Sequence, residues 1–447
     1  MEAYLLVGLL LLLVLSGVHI AVCLGIVSMV AIYLTTQDVW ISLSFLSSTA
    51  YQALRQYVYA VIPLFLLMGQ FIARSGVASD LYWGIDRWLK RLPGRFAYAT
   101  VLGNVVFAFV TGTSLASATT FTSIAYPQMK RAGYSPQFSL GLISGSACLG
   151  MLIPPSLLMI VWAILTDLSI GHLFIAGIGP GIVLAGLMII YIALVAWLRP
   201  ALVGQGVRPP TAATGAAAQP TAAQGPRDPS RFDMWVSVLG VLAIVIGAFG
   251  GIWVGFFTPT EGAGIGALIS VMVGIAKGMR WPQIYETILS VGKIATPLLI
   301  ILFTAQLYSR TLAMSGFGAT LQGALMGSGL SEWGLILLMI VVWLLLGMLI
   351  DSVSIMLLTV PIFVPVAMAI GMDPLVFAII GILTIEAGLL TPPFGLVVYA
   401  VRSVVTDAKL SMASIFLGAL PFWIMLLVTI GIVLLAPWTV TGLTRLI

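Results

Sequence analysis

Apolar stretches long enough to cross a bilayer recur from Leu5 to Leu435 with only short polar breaks between them. A spanning helix needs about 20 mostly apolar residues, so the whole chain lies in or against a membrane and no soluble catalytic domain is expected. Composition agrees: 61% of the 447 residues are hydrophobic and 7% are charged, where a soluble domain has about a quarter charged. The start, Met1-Glu2-Ala3, carries an acid where a cleaved leader carries positive charge, so the first apolar run is read as a retained helix. The net charge of +5 sits in particular loops, the pattern that sets membrane orientation, and no nucleic-acid partner is expected. Cys23 and Cys148 fall inside apolar runs and His19 and His172 are far apart in sequence, so neither a disulfide frame nor a metal-ligand spacing is visible.

Comparing the two ends of the chain is more informative. Pro127, Gly133, Pro136, Gly150, Pro154 and Pro155 are each followed by a like residue 238 positions later: Pro365, Gly371, Pro374, Gly388, Pro392 and Pro393. Matches at one fixed offset read as an internal repeat. Between the copies, residues 199–232 are rich in Ala, Pro, Gly, Thr and Gln and read as a cytoplasmic linker joining a first membrane half, 1–198, to a second, 233–447. Arg74, Arg87, Lys90, Arg91, Arg95, Lys130 and Arg131 put the first repeat's loops inside, whereas the second repeat has no Lys or Arg from 311 to 401 and carries Glu332 and Asp373. The halves are therefore expected to be inverted repeats, an arrangement typical of secondary transporters.

Each half contains an apolar segment, about 96–128 and 333–366, interrupted centrally by Thr-Gly-Thr-Ser (111–114) or Leu-Ile-Asp-Ser (349–352). Both ends of such a segment must lie on one side of the membrane, so each is read as a re-entrant helical hairpin. A broken helix follows each, about 136–166 and 374–401, interrupted by double prolines that remove two N–H donors and free carbonyls upstream. Further helices are expected near 3–16, 19–36, 59–74, 172–198, 233–253, 261–277, 292–310 and 412–437, about ten spans plus two hairpins, with both termini outside. The stretch 81–91, with Trp83, Trp88 and three basic residues, reads as an interfacial amphipathic arm, and Thr258-Pro-Thr-Glu261 as a capping box.

Free carbonyls at membrane depth need protein or a polar cavity to satisfy them, and here hydroxyl-rich tips would face them. The first half offers Gly112, Thr113 and Ser114 opposite Ile153, Pro154 and Ser156; the second offers Asp351 and Ser352 opposite Gly388, Thr391 and Pro392. Such oxygens suit sodium, although kinking and close helix packing also explain Gly and Pro in membrane helices. Asp351 is a cation ligand or a helix cap; Glu386 has ion, proton or packing roles open to it. Ser117, Pro155, Ser354, Glu386 and Pro393 are candidates for the substrate cavity. An intramembrane enzyme would need a nucleophile with a placed base, and no pairing of Ser with His or of the two His is suggested.

At Gly112-Thr-Ser114, Leu152-Ile-Pro-Pro-Ser156, Thr258-Pro-Thr-Glu261, Gly347-Met-Leu-Ile-Asp351 and Gly388-Leu-Leu-Thr-Pro-Pro-Phe-Gly395 the chain resembles the large membrane subunit of tripartite ATP-independent periplasmic (TRAP) transporters over nearly its full length. The resemblance implies an all-α, multi-pass elevator transporter of the bacterial inner membrane that couples sodium entry to uptake of an organic acid such as a C4-dicarboxylate or sialic acid. It implies as partners a small four-helix membrane subunit and a periplasmic substrate-binding protein, with Na+ as coupling ion and no other cofactor. It also maps two sodium sites onto the two tip-and-break pairs above. A single-component sodium/anion symporter of the same architecture, needing no binding protein, is the alternative.

Overall fold

A computed structural model describes residues 2–205, 230–327, 329–407 and 410–445. Most of the expected linker, 206–229, lies outside the described residues. The described chain is all helical, and eight of its helices are long and apolar enough to cross a membrane. The first two expected spans are short, Glu2–Leu15 and Ile20–Thr36, with 14 and 17 residues.

Local signals explain where the helices start. Ser156, Ser169, Ser230, Ser331, Asp373 and Ser411 accept backbone N–H bonds in the first turns of their helices. Pro136 and Pro374 occupy first-turn positions where their missing N–H costs nothing. Thr258 and Glu261 form the expected capping box: Thr258 N donates to Glu261 Oε2 (2.8 Å) and Glu261 N donates to Thr258 Oγ1 (3.3 Å). Besides the short C-terminal helix Trp438–Thr444, two helices were not anticipated. Val39–Arg55 carries Ser42, Ser44, Ser47, Ser48, Thr49 and Gln52, which hide it from a search for apolar runs, and Phe317–Met326 is only 10 residues long.

The helices group into two sets, which meet where Val61–Arg74 packs on Arg95–Thr111 and Trp281–Met314 on Ser352–Ala369. An outer set joins Ile20–Thr36, Val39–Arg55, Val61–Arg74, Pro259–Ala276 and the 34-residue Trp281–Met314. An inner set holds both hairpins, both broken helices, Ile170–Leu198 and Met412–Leu435. In the first hairpin, Arg95–Thr111 folds back on Ser114–Arg131, with Phe107 edge-on to Phe121. In the second, Glu332–Gly347 folds back on Ser352–Ala369, where Trp343 Nε1 donates to Thr359 Oγ1 at 2.7 Å.

The two halves interlock within the inner set. Leu157–Thr166, after the first break, packs on the second arm of the second hairpin; Leu396–Val404, after the second break, packs on the second arm of the first. Beside the former contact, Trp162 meets Trp343 of the second hairpin's first arm and Phe377 of the second broken helix, with ring centroids 5.3–6.0 Å apart. Gly141 and Gly418 let Pro136–Ala147 and Met412–Leu435 touch backbone to backbone: a Cβ on Gly141 would lie 2.0 Å from the Gly418 carbonyl carbon.

The expected amphipathic arm is the helix Val77–Trp88, with Trp88 exposed and Asp80 and Asp86 buried. Asp80 pairs with Lys277 and accepts a 2.5 Å bond from Ser237, tying the arm to the outer set. Asp86 pairs with Arg95 at 3.2 Å, tying it to the first hairpin; burial pushes the Asp86 carboxyl up while Arg95 pulls it down. Removing one member of a buried pair strands the other, at a cost of roughly 3–5 kcal/mol. Asp80→Ala should therefore lower the Tm of the detergent-purified protein markedly, and Asp80→Asn with Lys277→Met should recover most of that loss. An unchanged Tm in Asp80→Ala would contradict this role of the pair.

Candidate functional site

The first hairpin tip is pressed against the break of its own half, whereas in the second half the close approach lies about a turn before the tip and the break, and Asp351 and Ser352 open to a different space from Thr391 and Pro392. In the first, Gly112 has φ +63°, and a Cβ there would lie 2.4 Å from the Pro155 carbonyl oxygen. Leu157 N donates to the Gly112 carbonyl at 3.0 Å, so tip and break share a backbone hydrogen bond. Gly150, just before the break, faces the tip as well: a Cβ on it would meet Thr113 O at 3.0 Å and Ser117 Oγ at 3.2 Å. In the second half the contact is made by Gly347 and Gly388, where a Cβ on Gly347 would lie 2.6 Å from the Gly388 Cα. The Pro154-Pro155 and Pro392-Pro393 peptides are both cis.

The paired sites differ in what covers them. Ile153, Pro154, Pro155 and Ser156 are buried, whereas Pro392, Pro393 and Phe394 are exposed. Ser114 and Ser117 are fully buried, and neither hydroxyl has a hydrogen-bond partner among the described residues. Ser156 Oγ accepts from Met159 N at 3.3 Å and so caps the helix after the break. The second tip is organised by a charge instead. Asp351 is exposed to the space in front of the tip and caps the second arm, accepting from Ser354 N at 3.1 Å and Ser354 Oγ at 2.5 Å. Thr391 Oγ1 donates to Ala387 O at 2.9 Å within the end of its helix.

Between the tips lies a cavity of about 430 Å³. Thr113, Leu115 and Ala116 line it from the first tip, Asp351, Ser352 and Val353 from the second, and Leu66, Gln70, Lys293 and Pro297 from the outer helices. Thr113 and Asp351 are themselves 238 residues apart, as are Ser114 and Ser352. The five sequence-stated cavity candidates fall elsewhere. Ser117 and Pro155 are buried in the first tip-and-break contact, Ser354 is buried beneath Asp351, and Pro393 is exposed at the second break. Glu386 is 1% exposed, with Ser114, Cys148 and Ser352 as its polar neighbours and neither carboxylate oxygen aligned for a hydrogen bond. Cys148 and Glu386 are again 238 apart, so two pairs of equivalent positions converge on one buried spot.

Sequence reading missed Lys293 and Gln70. The helix carrying Lys293 was expected to begin at 292, whereas it begins at Trp281 with Pro282 in its first turn and Arg280 N donating to Gln283 Oε1 at 2.8 Å. That proline was the available signal.

The sequence model of the family described as "Tripartite ATP-independent periplasmic transporter, DctM component" matches residues 7–439. The C4-dicarboxylate TRAP transporter large permease protein DctM of Pseudomonas aeruginosa is 34% identical over 418 residues, covering 93% of this chain and 92% of that protein. The ectoine TRAP transporter large permease protein TeaC of Halomonas elongata is 29% identical, over 84% and 83%. The sialic acid TRAP transporter large permease protein SiaM of Vibrio cholerae is 24% identical, over 94% and 93%. Among solved structures, the Alcanivorax borkumensis YdaH transporter shares the fold, with a TM-score of 0.64 at 17% identity over 90% of this chain and 89% of that one.

If the first tip depends on close backbone approach, Gly112→Ala should destabilise the protein by roughly 1–3 kcal/mol through a strained φ and the clash with Pro155 O. Thermal unfolding in detergent reads this; a Tm equal to that of the unaltered chain would contradict the contact.

Proposed function

Because this chain belongs to the DctM-component family of tripartite ATP-independent periplasmic transporters, we propose that it is the large permease of a sodium-coupled importer of organic acids. The single observation that carries the reading beyond family membership is the cavity of about 430 Å³ lined by both hairpin tips and the outer helices. Its volume falls in the range of small-molecule sites, roughly 300–1,000 Å³. Its polar groups, Thr113, Asp351, Ser352, Gln70 and Lys293, are few against mostly apolar walls.

Sodium binds at the two tip-and-break pairs. In the first, carbonyls freed by Pro154 and Pro155 face Gly112, Thr113 and the unengaged hydroxyl of Ser114. In the second, the Asp351 carboxylate adds a charge to Ser352, Gly388, Thr391 and Pro392. The ion holds each tip against its break and so closes the floor and wall of the substrate cavity.

The inner set then moves as a body against the outer set, with the two halves in inverted orientation and the arm Val77–Trp88 as the flexible tie. This elevator reading is supported by the grouping of the helices into two sets and by the arm's anchors, Asp80 on one and Asp86 on the other. The inward sodium gradient supplies the driving force across the bacterial inner membrane. Relatives named for C4-dicarboxylate and sialic acid support carboxylates as cargo. The family's tripartite description favours a small membrane subunit and a periplasmic binding protein over a single-component symporter.

Uptake of radiolabelled succinate into proteoliposomes holding the permease, its small subunit and its binding protein tests this. Uptake should require an inward sodium gradient and should cease when the binding protein is left out. Ser114→Ala and Asp351→Asn should each raise the sodium concentration for half-maximal uptake about tenfold, the size of losing one good ligand contact. Equal uptake with and without the gradient would overturn sodium coupling, and unchanged sodium dependence in both variants would overturn the site assignment.

A further inference from the structure

We propose that Lys293 is the fixed cation that receives the substrate's carboxylate, contributed by the outer helices to the cavity between the tips. The proposal rests on the transport reading above and adds to it a residue that determines what the cavity accepts: an anion with a carboxylate facing the long helix.

Three observations converge on this side chain. Lys293 is the one cationic group among the described residues lining the cavity. No carboxylate lies within ion-pair distance of it among the described residues, and Asp351 on the facing tip is engaged in capping Ser354. Third, it is an exposed lysine of the 34-residue helix Trp281–Met314, placed where the polar first turns give way to the apolar stretch of that helix. An ionisable residue inside a membrane helix is costly unless it faces a cavity or a partner, and such residues mark substrate pathways.

The helix is shaped for the contact. Pro297 lines the same cavity and has no N–H to donate to the Lys293 carbonyl four residues back, so that carbonyl lacks its usual helical donor beside the cavity. A carboxylate leaving water for a mostly apolar space needs a compensating charge. Lysine provides a point charge with three rotatable donors, which tolerates acids of differing shape better than the rigid fork of arginine.

The placement also gives direction to transport. Thr113 and Ser352 belong to the inner set and Lys293 to the outer. A substrate held by both is bound more tightly when the two bodies face each other than after they slide apart. Only such a difference in affinity between states favours one state over another.

The test uses the complete reconstituted transporter with radiolabelled succinate as probe. Lys293→Met should raise the KM about tenfold or more, as expected for losing one charge-assisted hydrogen bond, while Lys293→Arg should keep most of the affinity. Lys293→Cys should behave like Lys293→Met until treated with 2-aminoethyl methanethiosulfonate, which rebuilds an ammonium on the thiol; methyl methanethiosulfonate, which adds no charge, should rescue nothing. The two native thiols, Cys23 and Cys148, are buried and remain as the internal control. A KM within twofold of the unaltered protein in Lys293→Met, or equal rescue by both reagents, would overturn the role of Lys293 while leaving the transport reading intact. Absence of succinate, malate and sialic acid uptake by the unaltered transporter would overturn the transport reading and this proposal with it.

Discussion

Carbonyls that two double prolines leave without helical donors have to be satisfied inside the protein, because hydrocarbon offers nothing in exchange, and at the second break Gly388 O and Leu389 O already accept from Thr391 N (2.9 Å) and Val397 N (3.3 Å). The rest of the molecule is arranged around that requirement. Gly112 and Gly150 bring the first hairpin tip within backbone contact of the first break, and Gly347 and Gly388 bring the second hairpin and its broken helix together about a turn before tip and break. A Cβ at Gly112, Gly347 or Gly388 would force the facing backbone apart, so these glycines are a condition of the geometry rather than a source of flexibility. The helices after the breaks cross over to the opposite hairpin, which ties the two contacts into one body.

Related positions have been put to different uses. The first tip presents hydroxyls in a buried setting, with Ser114 and Ser117 fully enclosed. The second presents Asp351, exposed and already engaged as a cap, next to a break whose prolines are exposed. A carboxylate at the tip tolerates exposure to water; unpaired hydroxyls among freed carbonyls are better suited to an enclosed ion. Glu386 and Cys148, 238 residues apart like the tip serines, meet beside Ser114 and Ser352 in a buried spot of the inner set.

Much of this was legible in the sequence because proline and glycine act locally. The 238-residue spacing located both breaks and the interruptions at 111–114 and 349–352 located both tips, and the structure has helix ends at Thr111, Ser114, Gly347 and Ser352. The Thr258–Glu261 capping box was equally local. What escaped was decided by packing or by start signals inside polar sequence. Val39–Arg55 was hidden by its serines and threonines. Lys293 was hidden because Arg280, Glu286 and Lys293 itself lowered the apolarity of the first turns, which made the helix look 11 residues shorter than Trp281 allows. Which of the many hydroxyls would line the cavity depended on the approach of three separate elements, and no periodicity carries that.

The central claim is that a hairpin body, locked at its tips by sodium, moves against an outer set that holds still. Leu268 on the outer helix Pro259–Ala276 and Leu417 on the inner helix Met412–Leu435 are both exposed and suit spin labels. Pulsed electron spin resonance between labels at these two positions, in nanodiscs with the complete transporter, measures the motion most directly. Two distance populations whose ratio shifts when sodium replaces potassium are the predicted result. One unchanging distance in a labelled protein that still transports would contradict the account.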